Sequence, residues 1–194
     1  MPTNTLLENT IDLCIQSGLN SLKRAKFAWW PTEGQSDFSE DNLWFHVGWA
    51  LQNAGFHVYP KAQVAGSVKQ HVDAVAIHRE YRCALVIEAK RLYSSEKFKS
   101  LGNDWLRLQQ FKLPCQWLSL PRPLACYALL CGSCWNAEHV QWWIDPSRCC
   151  KSDSWLHMQS ALESATRIGA VDVQRPDWQP HWICYSLSKL PDDQ

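Results

Sequence analysis

Apolar residues recur along the chain in two rhythms. Leu7, Ile11, Cys14, Ile15 and Gly18 share one face at helical spacing, which predicts a helix over 5–26. The segment AWWPTEGQSDF (28–38) contains Pro31 and Gly34 and reads as a loop. Leu43, Val47, Ala50, Leu51 and Ala54 mark a second helix, with Ser39 as its N-cap and Gly55 as its stop. Glu40 and Asp41 lie in its first turn, where the helix dipole favours negative charge. The period then drops to two. Residues 56–64 predict a strand, which Pro60 confines to an edge or a bulge. AGS at 65–67 turns the chain, and strands over 70–78 and 82–91 follow. A helix is expected from Asn103, with a short turn before it, then a buried strand over 125–135. Trp155, Met158, Ala161, Leu162 and Ala165 predict an amphipathic helix over 152–169, and 181–190 reads as a last strand. This order predicts an α/β chain, a mixed sheet flanked by helices.

Composition narrows the class. The 194 residues suit one domain and can bury a core without staples. Lys+Arg and Asp+Glu both number 19, so a nucleic-acid site would have to be a local basic groove. No segment approaches the length of a membrane span. The N-terminus lacks a basic start and carries Glu8 and Asp12, unlike a signal peptide, so a cytoplasmic location is expected. Nine cysteines at irregular spacing then read as buried thiols, and most of the twelve tryptophans as packing residues.

Candidate chemistry sits in HVDAVAIHREYRCALVIEAK (71–90), where Asp73, Glu88 and Lys90 lie inside the strand patterns. Glu88 and Lys90 share a face, since side chains alternate. A hairpin turning at REYR (79–82) sets Asp73 opposite Glu88 and His71 opposite Lys90. Facing carboxylates repel unless a cation lies between them. A divalent ion such as Mg²⁺, which takes oxygen ligands, would answer that need, with Lys90 as a compact charge beside it.

The pattern resembles the PD-(D/E)XK nuclease superfamily, the restriction-endonuclease-like and Holliday-junction-resolvase-like fold. HVDAV, VIEAK, the helix SEDNLWFHVGWALQNAGFHV before them and a following helix with Gln109-Gln110 carry the resemblance over residues 39 to about 131. It departs at Val72, where the family name has Pro. The resemblance implies a three-layer core in which Asp73 and Glu88 bind Mg²⁺, with Mn²⁺ as a substitute, and Lys90 acts on the attacking water. It implies Glu40 as a further metal ligand and Gln109 or Gln110 near the site. The expected activity is hydrolysis of nucleic-acid phosphodiesters, DNA before RNA and as an endonuclease, with a homodimer or protein partner allowed and no membrane. Residues 1–38 would be a helical extension and loop, 39–135 the nuclease-like core, and 136–194 a helix and strand completing the sheet.

Competing constellations are weaker. Cys131, Cys134, His139 and Cys149-Cys150 are enough by count for the four ligands of a zinc site, but Cys131 ends an apolar strand. Zinc would favour the alternative function, a non-catalytic nuclease fold or an interaction module. Arg91, Lys97 and Lys99 lie just beyond Lys90 and are candidates for phosphate contact. His46, His57 and His71 are within reach of the same region, with structural roles as the simpler reading.

Overall fold

Asn4–Ala28 forms α1 and Glu40–Asn53 forms α2. Three strands follow, β1 (His57–Pro60), β2 (Ala74–His78) and β3 (Cys83–Arg91). Helix α3 (Ser95–Gln109) crosses to β4 (Ala125–Cys134). The chain continues through α4 (Ala137–Ile144), α5 (Asp153–Glu163), β5 (Arg167–Asp172) and β6 (Trp182–Lys189). The computed structural model describes residues 4–28, 39–63, 71–110, 124–148, 153–173 and 180–191. Of the expected loop over 28–38, Ala28 instead closes α1 and 29–38 lie outside the described residues, as do the turn over 65–67 and three cysteines, Cys115, Cys149 and Cys150.

The six strands form one mixed sheet in the order β1-β2-β3-β4-β6-β5. β1, β2 and β3 run antiparallel in succession, β4 runs parallel to β3, and β6 is antiparallel to β4 and to β5. A parallel neighbour requires a crossover, which α3 provides. Alternation along the strands then builds two cores. Leu85, Ile87, Ala89, Leu129 and Leu187 face α1 and α2, while Ala84, Val86, Ala128 and Leu130 face α3, α4 and α5. The mixed α/β sheet with helices on both sides is as the pattern predicts. No helix among the described residues is long and apolar enough to cross a membrane.

The hairpin register is the expected one. Ala74 pairs with Ile87 and His78 with Cys83, around a turn over 79–82 in which Arg82 takes a positive φ of 50°. Pro60 closes edge strand β1. Gly55 ends α2 with a φ of 91°, a conformation that costs glycine nothing. Ser39 occupies the N-cap position of α2 but makes no side-chain cap bond; its carbonyl instead accepts from Asn42 N at 3.0 Å.

Three expectations change. The ladder between β2 and β3 stops at Ala74, so neither the expected Asp73–Glu88 pair nor the His71–Lys90 pair forms; His71 bridges to Gln63 instead. Helix α3 starts at Ser95, not Asn103, because Ser94 accepts from Lys97 N and Gly102 packs in its buried stripe without breaking it. Helix α5 stops at Glu163, and the expected helical tail is strand β5. Residues 166–173 contain Thr166, Ile168, Val171 and Val173, whose branched side chains suit a strand, and pairing with β6 satisfies their backbone.

Where α1 crosses α2 the contact is close. A Cβ built on Gly18 would lie 2.6 Å from Val47 Cα, a backbone atom that cannot turn aside. Gly18→Ala should therefore lower stability by about 1–3 kcal/mol despite alanine's better helix propensity. Chemical denaturation measures this, and an unchanged midpoint would contradict the close crossing.

Candidate functional site

The site lies where β2 and β3 part. The β1–β2 register continues past β2, with Val72 N donating to Ala62 O at 2.9 Å and Lys61 N to Asp73 O at 2.8 Å. β3 continues with β4 but without β2, and its Ala89 N–H is taken by the Asp73 carboxylate, with Oδ2 at 2.8 Å. Asp73 thus substitutes a side chain for the missing ladder bond. Its other oxygen, Oδ1, faces Lys61 Nζ at 3.3 Å, and the same ammonium reaches Asp41 Oδ1 at 3.0 Å. Lys61 holds a φ of 50°, a left-handed conformation that a non-glycine residue adopts at some cost. The Lys61 hydrogen bond holds the Asp41 carboxyl below its usual range.

Glu88 and Lys90 continue the stripe of Ala84 and Val86 and so face α3. Glu88 is 2 % exposed, the one fully buried carboxylate among the described residues. Burial raises its carboxyl to about 8, and the charges of Asp104 and Asp73 push the same way against Arg107 and Lys90. Lys90 Nζ pairs with Asp104 Oδ2 at 3.3 Å. Burial opposes the Lys90 charge, but Asp104, Glu40 and Glu88 outweigh it and raise the ammonium above its ordinary range. Lys90 is therefore a cation at neutral pH, suited to stabilising negative charge and not to accepting a proton.

Helix α3 supplies two residues that sequence reasoning missed. Arg107 Nη2 contacts Glu88 Oε1 and, at 3.1 Å, Asp104 Oδ1. The signal was available in part. Asp104 lies three residues after Leu101 and four before Leu108, both buried, so a charge there falls on the sheet-facing stripe. Lys61 left no such signal.

Glu40, from the start of α2, accepts from Arg91 N at 3.2 Å and lies 3.9 Å from Lys97 Nζ. It thus sits at the C-terminal end of β3, beside Lys90, whose charge it supports. Gln109 and Gln110 are exposed at the end of α3, and Lys99 is exposed on the same helix. Arg91 and Lys97 flank the Tyr93 ring, each 5.6 Å from its centroid, and Tyr93 is 62 % exposed. His46 contacts Ser21 Oγ, His71 contacts the Lys61 carbonyl, and His57 is exposed on β1, so none joins the carboxylates.

Among the described residues the candidate zinc set does not assemble; Cys149 and Cys150 lie outside them. Cys131 belongs to the core under α1 and α2, and Cys134 to the core on the opposite side of the sheet. Strand alternation separates them by an odd step, so the C-x-x-C cannot chelate. Burial pushes the Cys131 thiol up to about 12, which disfavours the thiolate that zinc requires. His139 packs among Phe98, Trp142 and Trp155.

For Mg²⁺ the donor chemistry fits. Asp73, Glu88 and Asp104 offer only carboxylate oxygens, and Asp104 Oδ2 is buried without a hydrogen bond beyond its ion pair with Lys90. Among the described residues, no three Asp, Glu, His or Cys side chains are gathered as a metal would hold them. Each carboxylate is turned instead to one of the chain's own cations. No protein-family model, no curated protein and no solved structure matches the chain.

Proposed function

We propose that this chain is a metal-dependent nuclease of the PD-(D/E)XK kind, with a restriction-endonuclease-like core, cutting DNA internally. One observation carries the reading. Asp73 and Glu88 come together with Lys90 where two paired strands separate, with α2 bringing Glu40 to the same strand end. Such a charge-dense cluster at a strand end is costly to build and is where perturbed groups serve chemistry. The element order, helix, three antiparallel strands, crossover helix and parallel strand, agrees with that core.

Asp73 and Glu88 would hold Mg²⁺ or Mn²⁺, with Glu40 at the margin, and the ion would polarise a phosphate and acidify a bound water. The chain's own residues do the rest. The Lys90 ammonium, held by Asp104 and on the same strand face as Glu88, would offset charge that builds on phosphorus. The Ala89 N–H fixes one Asp73 oxygen and leaves the other turned toward solvent-accessible Lys61. Lys61, Lys97 and Arg91, with Tyr93 exposed between the last two, line the approach and suit a phosphate backbone with a base to stack.

A second reading, a nuclease fold that does not cut, is favoured by the Arg107 contact, which sets a built-in cation on Glu88. Labelled single-stranded, duplex and branched DNA and RNA, incubated with Mg²⁺ or Mn²⁺, separates the two. Cleavage of DNA that vanishes in Asp73→Ala and with chelator is expected. No cleavage of any substrate would leave the second reading standing.

A further inference from the structure

We propose that Arg107 is the resident counter-ion of Glu88 and competes with the metal for that carboxylate, so that the ion binds only as the guanidinium leaves. The proposal rests on the nuclease reading for the identity of the ligand, but its geometry stands on α3 and β3 alone.

Glu88 is buried, so once it gives up its proton the carboxylate needs a compensating charge. Arg107 supplies it from the facing helix. A divalent cation bound to Glu88 would bring a second positive centre to the same oxygen. Arg107 holds Oε1, and in a buried site a divalent ion a few ångström from the guanidinium is strongly repelled, so each cation weakens the hold of the other on Glu88.

The pair is also built to open. Both carboxylate contacts of Arg107 come from one nitrogen, Nη2, and not from the two-pronged fork that makes arginine–carboxylate pairs strong. Arg107 Nε is buried and has no hydrogen-bond partner among the described residues. The guanidinium keeps Asp104, 3.1 Å away and one helical turn back, as an anchor when it lets Glu88 go. Asp104 in turn holds Lys90, so the release of Glu88 leaves the catalytic ammonium in place. The arrangement makes metal affinity a property of α3 as much as of the strand motif, and gives the metal-free site a closed state of its own.

The test is Mn²⁺ affinity of the metal-free full chain, by calorimetry at one mildly alkaline pH. Arg107→Gln is expected to bind Mn²⁺ tighter than the parent by about tenfold or more, since the competing state that taxes binding is gone. Arg107→Lys, which keeps a charge on α3, should remain near the parent. Affinity that is unchanged or weaker in Arg107→Gln would overturn the proposal, as would absence of Mn²⁺ binding in both. Should Arg107→Gln fail to fold, the parent answers alone. The guanidinium NMR signals of Arg107 must shift on titration with diamagnetic Mg²⁺, and signals that stay fixed while the ion binds would overturn it. Tighter binding in Arg107→Gln with no cleavage by any form would uphold the competition and sink the nuclease reading, so the two failures are distinguishable.

Discussion

Lys90→Ala is expected to slow phosphodiester cleavage by about 10²–10³ while Mn²⁺ affinity changes by no more than a few-fold. The division follows from which groups touch which. Lys90 has no oxygen to offer a metal, and among the described residues its ion-pair partner is Asp104. Its charge survives burial because Asp104 and then Glu40 support it, so it is an ammonium throughout the neutral range. Such a preorganised charge acts on the transition state, where negative charge grows, and far less on the ground state. Asp73→Ala should behave differently and lose metal and cleavage together. It also frees the Ala89 N–H and removes a partner of Lys61, so the strand parting itself loosens. Cleavage rates measured beside Mn²⁺ affinities for the two variants decide the matter. Retained cleavage in Lys90→Ala would remove Lys90 from the site, and equal loss of metal in both would remove the division of labour.

The strand pair was legible because two simple constraints agree on it. Alternation placed Glu88 and Lys90 on one face, and the polar REYR turn set the register that pairs Ala74 with Ile87. What could not be read was where the ladder ends. That depends on Asp73 trading a main-chain partner for a side-chain one, a choice made only once Ala89 is its neighbour. Helix α3 was half legible. Gly102 reads as a break in a single sequence, yet here it lies on the buried side of an uninterrupted helix. The strand at β5 lost to an apparent helix because Trp155 to Ala165 sustains a helical stripe up to the turn. Only pairing with β6 tells the chain that the stripe has ended. Asp104, Arg107 and Lys61 act on neighbouring elements once these pack, so their roles emerge from packing, with the stripe position of Asp104 the one partial signal in the sequence.

Glu88→Gln is expected to stabilise the metal-free protein at pH 8 by on the order of 3 kcal/mol and to have little effect near pH 4.5. The carboxyl ordinarily titrates near 4.5 and in this fold near 8, raised first by burial and then by Asp104 and Asp73. Between those values the folded chain holds a proton that the unfolded chain releases. The stability Glu88 contributes is therefore complete below about 4.5 and is lost as pH rises through about 8. His46, His139 and His181, whose burial lowers them, work in the opposite sense over part of the same window. They are common to parent and variant, so the difference between the two isolates Glu88. Gln keeps the shape and hydrogen-bonding capacity of the protonated acid, and Arg107 retains Asp104 as its partner. For a chain of this size the stabilisation corresponds to a melting point higher by about 5–10 °C at pH 8, with the two curves converging toward acid. Parallel curves at every pH would mean that Glu88 titrates as an ordinary surface carboxylate. A variant destabilised at pH 8 would mean that the ionised Glu88–Arg107 pair outweighs burial, and the raised carboxyl would have to be given up.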